Sequence, residues 1–360
     1  MNIIAFESSC DETSVSCIRH DENGFKILSN IVASQIETHR LYGGVVPEIA
    51  SRAHTEVISK ISYEALEEAR LSLSDIDLVA VTANPGLIGA LLVAVNFAKA
   101  LAVSSGIPLV AVDHIKGHIA AAYLTEHAPK PPFIALAVSG GHTAIYRIDS
   151  YTDYKMIGTT CDDAIGEAYD KIGRLIGIPY PAGREFDALA KEGFISAVGD
   201  VDDYLTAYKK SDEYKDKSMT LPSPALHDGS LDFSFSGLKT ATINLLHRLD
   251  MKGEDIPRAR LAARYTYEAT EAVAKKISDA LSQNPDMPLV VAGGVAANSH
   301  LRARLTAVAK KQKREIIIPP ISLCGDNAAM IGAQGYYEYM AGNLADSALN
   351  ASALDKIEAI

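Results

Sequence analysis

The chain has 360 residues, 48% of them hydrophobic, and a formal net charge of −11. This length predicts two domains rather than one, with enough apolar residues for a substantial core. The negative charge argues against a free-standing nucleic-acid-binding protein, because such proteins normally carry a basic surface.

The sequence predicts neither membrane insertion nor secretion. The longest apolar run begins at Leu91, but it contains Asn96 and Lys99 and is too short to span a bilayer, so we interpret it as a core helix. The N-terminal segment lacks the basic region of a signal peptide. None of the four cysteines forms a CxxC pair, and isolated cysteines are usually small core residues. We therefore expect a cytoplasmic protein.

Three strands are predicted at the start of the chain. IIAFES is apolar, TSVSCIRH alternates, and FKILSNIV follows the turn at DENG. A helix at 54–70, the strand DLVAVT, a helix at 86–104 and the strand IPLVAV come next. This order of strands and helices favours an α/β unit with a mixed sheet.

Residues 133–160 repeat the layout of the first strands. FIALAVS is apolar, HTAIYRI alternates, and DYKMIGTT follows a polar turn. The later elements are the helix AIGEAYDKIGRLIG, a helix near 258–283, the strand PLVVAG, a helix from Asn298, the strand EIIIP and a final helix from Asp326. The chain therefore contains two similar α/β units.

We place the unit boundary between residues 112 and 113. The first unit comprises residues 1–112 together with a C-terminal helix at about 326–345, and the second comprises 113–325. A segment at about 180–257, rich in Gly, Pro, Asp and Lys, interrupts the second unit and is interpreted as a substrate-side insertion.

The first strand of each unit is followed by a polar turn, SSCDET or SGGHT. Loops at strand ends converge in such folds, so these turns should face each other across a cleft. In SGGHT, Gly140 and Gly141 allow close backbone approach, and Ser139 and Thr143 add hydroxyl donors, so the loop could cradle a phosphate. An ordinary hairpin turn is the alternative.

The segment DHIKGHIAAAYL, residues 113–124, predicts a helix with His114 and His118 one turn apart on one face. Two histidines at this spacing form half of a metal site. The peptidase motif HExxH is absent, because Ile115 stands where the catalytic glutamate would be. A core histidine with ordinary hydrogen bonds, or an exposed one, is the alternative.

Asp326, in LCGDNAAMIGAQG, is the natural third ligand. It lies at a strand-to-helix junction, where its alternative role is a helix N-cap. Two imidazoles and one carboxylate would leave open positions for a substrate oxygen, as in non-haem iron or catalytic zinc sites.

Three further motifs also have simpler explanations. GGVAANSHLR at 293–302 is a glycine-rich entry into a helix, where phosphate can bind. SGLKT at 236–240 lacks the P-loop spacing and is interpreted as a helix start after the strand LDFSF. Asp163, Glu167 and Asp170 lie near one helix face, which is either a solvated acidic surface or an acceptor for ribose hydroxyls.

In order, these motifs resemble the tRNA N6-adenosine threonylcarbamoyltransferases, formerly described as O-sialoglycoprotein endopeptidases. The resemblance covers nearly the whole chain, is of the bacterial type, and rests on ESSCDET, YGGVVPEIASRAH, HIKGH, VSGGHT, DDAIGEAYDKIGR, LDFSFSGLKTA, GGVAANSHLR and CGDNAAMIG. It implies a fold of two duplicated RNase H-like, actin-like ATPase (ASKHA) units with an inter-domain cleft.

The resemblance also implies site residues. His114, His118 and Asp326 would hold one divalent metal, Fe²⁺ in preference to Zn²⁺. The implied substrate-binding positions are Ala137, Val138, Ser139, Gly140, Gly141, Asp170, Gly183, Asp187 and Asn298. No general base is evident from the sequence, and Asp11 and Glu12 in the first polar turn are the candidates.

The implied reaction transfers a threonylcarbamoyl group from threonylcarbamoyl-AMP to N6 of adenosine 37 in tRNAs that read ANN codons. The implied partners are tRNA, a smaller inactive paralogue of the same fold, a P-loop ATPase and, functionally, a threonylcarbamoyl-AMP synthase, with no membrane. We interpret the basic strip Lys310, Lys311, Lys313 and Arg314 as part of a composite tRNA surface, although the end of a helix is the alternative.

One loop departs from the family pattern YPGGP. Here the segment is Tyr180-Pro181-Ala182-Gly183-Arg184, with alanine for a glycine and arginine for a proline. The two changes alter the stiffness of the loop and hence the detail of the expected nucleotide contact.

Two other functions compete. A metallopeptidase is suggested by the histidine pair but disfavoured by the missing glutamate. A nucleotide-binding scaffold or small-molecule kinase of the same superfold is disfavoured by the histidines, because phosphoryl transfer uses Mg²⁺ on carboxylates.

Overall fold

The computed structural model describes residues 1–224, 226, 228–354 and 357. Residues 225 and 227 of the expected insertion, and residues 355, 356 and 358–360 at the C-terminal end, lie outside the described residues.

The described strands form two five-stranded sheets. They are β1 (Asn2–Glu7), β2 (Glu12–Asp21), β3 (Gly24–Ser34), β4 (Leu78–Asn84), β5 (Leu109–Asp113), β6 (Phe133–Val138), β7 (Thr143–Ile148), β8 (Tyr154–Thr159), β9 (Leu289–Ala292) and β10 (Ile316–Ile317). The first sheet has the order β3-β2-β1-β4-β5 and the second the order β10-β9-β6-β7-β8. In each sheet the first three strands pair antiparallel and the last two run parallel to the first strand, so the second sheet repeats the first.

Helices connect and cover the sheets. They are α1 (Ile36–Arg40), α2 (Pro47–Ala69), α3 (Ile88–Ser105), α4 (His114–Ala120), α5 (Ile165–Leu175), α6 (Gly183–Val198), α7 (Tyr204–Lys210), α8 (Asp212–Lys215), α9 (Ser236–Lys252), α10 (Arg258–Gln283), α11 (Ser299–Lys311) and α12 (Ala328–Met340).

The first strand of each unit is buried on both faces. In β1, Ile3 and Ala5 face the core shared by the two sheets, whereas Ile4 and Phe6 face the core under α2 and α3. Successive side chains of a strand point to opposite faces, so a strand buried on both sides reads as a continuous apolar run. This explains why IIAFES and FIALAVS have no alternation of polar residues.

Helices α4 and α12 lie against each other in the core shared by the two sheets. Their close packing depends on Gly117, where a Cβ atom would overlap the side chain of Ile331 on α12. Helix α12 packs on β1, β2 and β4 of the first sheet, and α4 also touches β6 and β9 of the second. The chain thus returns at its C-terminal end to the first sheet, while the domain limits given above remain a prediction.

Two local predictions differ from the structure. The segment LDFSF is not a strand, because only a single bridge joins Phe233 to Thr160. The helix expected at 54–70 begins earlier, at Pro47, since proline is well suited to the first turn of a helix. The interrupting segment contains the helices α6 to α9.

Helix α3 is long and apolar enough to cross a membrane by length and composition. Core helices of soluble proteins pass the same test. In the structure, one side of α3 contributes Ala94, Val95 and Ala98 to the core below the first sheet.

Candidate metal and substrate site

Helix α4 brings two imidazoles to the end of β5. Asp113, the last residue of β5, caps the helix by accepting hydrogen bonds from the N–H groups of Ile115 (2.8 Å) and Lys116 (3.2 Å). The helix therefore begins at His114, and His118 follows one turn later. Both imidazoles are buried.

Asp326 lies just before α12 and reaches the same point. Its Oδ1 is 3.2 Å from Nε2 of His118 and 3.6 Å from Nε2 of His114. One potential ligand atom from each of the three residues lies within 4.8 Å of the others. The structure thus brings the three expected ligands together.

Glu7 is a further member of this group that the sequence did not reveal. It is fully buried at the end of β1, and its Oε2 accepts a hydrogen bond from Nδ1 of His114 at 3.0 Å. Thr82 donates to the same oxygen and the N–H of Ser9 to the other, each at 2.5 Å. A carboxylate on Nδ1 fixes the orientation of a histidine and leaves its Nε2 free for a metal. The sequence did contain one indication of this role, a glutamate at the end of an apolar strand.

The donor set fits one divalent cation. Metal–ligand bonds of about 2.1 Å in a tetrahedral site place ligand atoms about 3.4 Å apart. The distances from Asp326 Oδ1 to the two imidazoles, 3.2 and 3.6 Å, agree with this value. Among the described residues, neither ring nitrogen of His118 has a hydrogen bond with acceptable geometry, although the ring is buried. An imidazole without a partner is costly in a protein interior, and a cation at Nε2 would relieve that cost.

The electrostatics of the cluster support the same interpretation. Burial, followed by the charges of Asp326, Asp11 and Glu7, raises the pKa of Glu12 to about 9. Burial lowers the pKa of His114, but the neighbouring carboxylates outweigh it and raise that pKa to about 9. The cluster is therefore a region of excess negative charge, which a divalent cation would neutralise.

The loop after β6 lies near this cluster, since its His142 feels the charges of His114, His118 and Asp326. The N–H of Ser139 donates to the carbonyl oxygen of His142 at 2.8 Å, and the N–H of His142 donates to Oγ of Ser139 at 3.1 Å, which closes a tight turn. Within the described residues, no acceptor faces the N–H groups of Gly140 and Gly141, and both glycines are exposed. The turn therefore presents free donors, as an anion-binding loop requires.

Helix α5 begins directly beneath this turn. Its Glu167 N–H donates to the carbonyl oxygen of Gly140 at 3.1 Å, and Thr143 Oγ1 accepts from the Ile165 N–H at 2.9 Å. A side chain at Gly166 would collide with the backbone of Ser139, so glycine permits this contact. The positive end of the helix dipole thus lies beside the turn.

His142 of the same turn approaches the histidine pair. Burial, together with the charges of His114 and His118, lowers the pKa of His142 to about 4. This imidazole is therefore neutral at physiological pH. Ala137 and Val138 end the buried strand that leads into the turn.

Asp170 lies in α5 and Gly183 begins α6. Oδ1 of Asp170 accepts a hydrogen bond from the N–H of Ala182 at 2.7 Å, so this carboxylate also shapes the loop before α6. Gly183 is exposed and has open space around it. The methyl group of Ala182, where the family has glycine, is buried against Gly173.

Asp187 and Asn298 have structural partners in this state. Both oxygens of Asp187 accept hydrogen bonds from Ser299, one from its N–H and one from its hydroxyl, each at 2.9 Å. Asn298 caps α11 by accepting from the N–H of Leu301 at 2.8 Å. Asp187 thus fastens α6 to the start of α11, and Asn298 caps α11 itself.

The two candidate bases differ in position. Asp11 is buried, and its Oδ2 lies 3.4 Å from the hydroxyl group of Tyr180 on the other side of the cleft. Glu12 begins β2 and belongs to the carboxylate cluster around Asp326. The sequence did not reveal the contact with Tyr180, because the two residues are far apart along the chain.

The three acidic residues in and before α5 do not form one acidic surface, because their side chains have different partners. Asp163 pairs with Lys171 at 2.8 Å and also with Lys239, and Glu167 pairs with Lys171 at 2.9 Å. Asp170 points away to the loop before α6. Of the three, only Asp170 has no ion pair among the described residues, and its role at a nucleotide stays a prediction.

Comparisons with known proteins identify the family. A family model described as TsaD, tRNA N6-adenosine threonylcarbamoyltransferase, matches residues 26–333. A protein of that name from Clostridium botulinum (strain 657 / Type Ba4) is 46% identical over 351 residues, covering 98% of this chain and 96% of the relative. Another from Streptococcus suis (strain 05ZYH33) is 48% identical over 349 residues, covering 97% and 96%.

Solved structures show a similar fold at low sequence identity. HypF of T. kodakarensis is 12% identical with a TM-score of 0.60, and the match covers 97% of this chain and 49% of that one. Full-length HypF in a phosphate- and nucleotide-bound form is 14% identical with a TM-score of 0.57, covering 98% and 47%. This chain spans about half the length of these proteins, and the duplicated actin-like fold is confirmed.

Proposed function

Because the chain belongs to the tRNA N6-adenosine threonylcarbamoyltransferase family, and is thus an acyltransferase that modifies tRNA, we propose the following reaction for it. The protein transfers the threonylcarbamoyl group of threonylcarbamoyl-AMP to N6 of adenosine 37 in tRNAs that read ANN codons. The amino nitrogen attacks the carbamoyl carbon and loses a proton, the new N–C bond forms, and the bond to the phosphate oxygen breaks to release AMP.

The observation that carries this proposal is the arrangement of the cleft. Two imidazoles and a carboxylate converge on one point, and a turn with free N–H donors lies near them, since its His142 feels the charges of all three. An acyl adenylate needs both features, one for its carbonyl oxygen and one for its phosphate.

His114, His118 and Asp326 would hold a single divalent metal, with Fe²⁺ favoured over Zn²⁺. Such an ion supplies Lewis-acid polarisation and a template for the acyl donor. Glu7 holds His114 in the tautomer whose Nε2 faces the cleft.

The remaining residues bind and orient the substrates. The N–H groups of Gly140 and Gly141 stabilise the charge that grows on the leaving phosphate. Asp170, Gly183, Asp187 and Asn298 surround the adenosine part of the donor. Because N6 of adenine is a weak nucleophile, much of the rate comes from positioning.

Asp11 or Glu12 accepts the proton that N6 releases. Both belong to the first polar turn, on the same side of the cleft as Glu7.

We further propose the partners and the location of the reaction. The protein acts in the cytoplasm with a smaller paralogue of its own fold and a P-loop ATPase, and a separate synthase supplies threonylcarbamoyl-AMP. The basic strip of Lys310, Lys311, Lys313 and Arg314 contacts the tRNA at a distance from the cleft. Lys310 and Lys311 end α11, whose 13 residues span about 20 Å from Asn298, and Lys313 and Arg314 follow the helix. Within the strip, Arg314 also pairs with Asp286 at 3.1 Å.

Mass spectrometry of tRNA nucleosides tests the reaction. Unmodified tRNA is incubated with the protein, threonine, bicarbonate and ATP in an extract depleted of its own family member. We expect threonylcarbamoyladenosine with the wild type and with His127→Ala, a matched change of an exposed histidine. The variant His114→Ala should give none. Absence of product with the wild type, in an extract that a known family member rescues, would refute the proposed function.

A further inference from the structure

A short exposed segment, residues 41–46, lies at the mouth of the cleft, and we name it the lip. It follows α1 and carries two exposed apolar side chains, Leu41 (84% exposed) and Tyr42 (59%). Gly43 then turns the backbone with a φ of 71°. The lip thus presents an aromatic ring to solvent on a tight turn.

The lip is anchored to the first polar turn by a buried row of hydrogen bonds. The N–H of Val46 donates to Nδ1 of His39 at 3.3 Å, and Nε2 of His39 donates to Gln35 at 3.1 Å. The amide of Gln35 donates to Nδ1 of His54 at 3.3 Å, and Nε2 of His54 donates to the carbonyl oxygen of Cys10 at 3.0 Å. Each imidazole accepts a hydrogen bond on one nitrogen and donates one from the other, so every donor in the row faces an acceptor.

The lip also meets the opposite wall of the cleft. Nε of Arg40 donates to the carbonyl oxygen of Tyr180 at 3.2 Å, and Arg174 donates to the carbonyl oxygen of Gly43. The hydroxyl group of Tyr180 lies 3.4 Å from Asp11, one of the two candidate bases. The exposed ring of Tyr42 is therefore at the entrance through which a large substrate must reach the site.

Two arginines lie at this entrance. Arg40 and Arg174 are placed there by the hydrogen bonds just described, and among the described residues Arg174 has no ion pair, whereas Arg40 pairs with Glu37. On a chain with a net charge of −11, such a group at the cleft mouth favours an anionic occupant.

We propose that the lip binds the anticodon loop of tRNA, with Tyr42 stacked on a base next to the target adenosine. This inference rests on the proposed function. The target base must leave its stack for N6 to reach the cleft, and its neighbour then loses a stacking partner. An exposed tyrosine replaces that partner, and nearby arginines contact the phosphates, as in other single-stranded RNA sites.

The test compares two tRNAs and three variants. Full-length protein in its assembled complex is titrated with an unmodified tRNA transcript and with the same transcript whose anticodon loop is replaced by a stable tetraloop. Tyr42→Ala should weaken binding of the intact tRNA roughly tenfold, or about 1.4 kcal/mol, and leave the tetraloop form unchanged. Tyr42→Phe should bind as the wild type. Tyr63→Ala, a matched change of a tyrosine 74% exposed on α2, should have no effect.

Three results separate the outcomes. Wild-type affinity of Tyr42→Ala for the intact tRNA would overturn the inference and leave the proposed function intact. Loss of assembly with the protein partners, with tRNA affinity unchanged in the complex that does form, would assign the lip to a protein and also overturn it. A wild-type complex that binds no tRNA and forms no modified nucleoside would refute the proposed function, and the lip inference with it.

Discussion

The substitution Glu7→Gln tests whether a buried carboxylate sets the tautomer of His114. Oε2 of Glu7 accepts from both His114 and Thr82, and Oε1 accepts from the N–H of Ser9. A glutamine has one acceptor oxygen and one donor NH₂ in the same shape. If its oxygen faces His114, the NH₂ opposes the N–H of Ser9. If the NH₂ faces His114, it donates to Nδ1 and moves the ring proton to Nε2, which then cannot bind a metal.

Either orientation disturbs the cluster, so metal binding should weaken. Removing a partner of this kind typically lowers metal affinity by roughly 10- to 100-fold, equivalent to about 1.4–2.7 kcal/mol. The measurement is competition against a chelator of known affinity, with Zn²⁺ and Fe²⁺ in turn, and metal content read by elemental analysis. No catalytic assay is needed for this readout.

Thr82→Val is the matched control, because it removes one hydrogen bond to the same oxygen without offering His114 a new donor. We expect a smaller loss of metal affinity for it than for Glu7→Gln. Unchanged metal affinity in Glu7→Gln, in a protein that unfolds at the wild-type temperature, would refute the assigned role of Glu7.

Two further predictions concern stability. Gly293 has a φ of 95°, and a Cβ there would collide with the carbonyl oxygen of Val138, so Gly293→Ala should lower the free energy of unfolding by roughly 2–4 kcal/mol in urea. The neighbour Gly294→Ala, which meets open space, should change it far less, and equal losses would contradict this explanation. Burial lowers the pKa of His300 from its ordinary value of 6.5. As the pH decreases, the unfolded chain therefore binds the proton before the folded protein does. The free energy of unfolding is highest above pH 6.5 and falls at lower pH. The difference in unfolding free energy between the wild type and His300→Gln should therefore decrease from about pH 7.5 to about pH 5.5. A difference that increases over this range would contradict the lowered pKa of His300.

The repeated fold was readable from the sequence because its two central strands are buried on both faces. IIAFES and FIALAVS begin with uninterrupted apolar runs. In the strands that follow them, apolar and polar residues alternate, so that one face of each strand is more polar than the other. The segment LDFSF has a similar composition but pairs only at Phe233, since strand pairing depends on neighbours that the local pattern does not contain. Short apolar runs therefore remain ambiguous until the sheet order is known.

The candidate site was predictable where its residues share one element. His114 and His118 lie on one helix, and their spacing alone places both imidazoles on one face. Glu7 and Tyr180 were not found, because each acts through a contact between distant parts of the chain. The role of Asp187 at the substrate stays a prediction, and no feature of the sequence indicates its two hydrogen bonds to Ser299.

The position of α4 and α12 has a consequence for any movement of the cleft. The three side chains come from α4 and from the residue pair before α12, and these two helices pack on each other. Helix α12 lies on the first sheet and α4 follows directly from β5, although α4 also touches β6 and β9 of the second sheet, which carries the Ser139–Gly141 turn. A movement of the second sheet that keeps α4 and α12 together would leave the distances among the three side chains unchanged and alter their separation from the turn. Such a movement would change the contacts of a bound adenylate with the turn but not the distances among the metal ligands. Opening of the cleft could then release a product without releasing the ion.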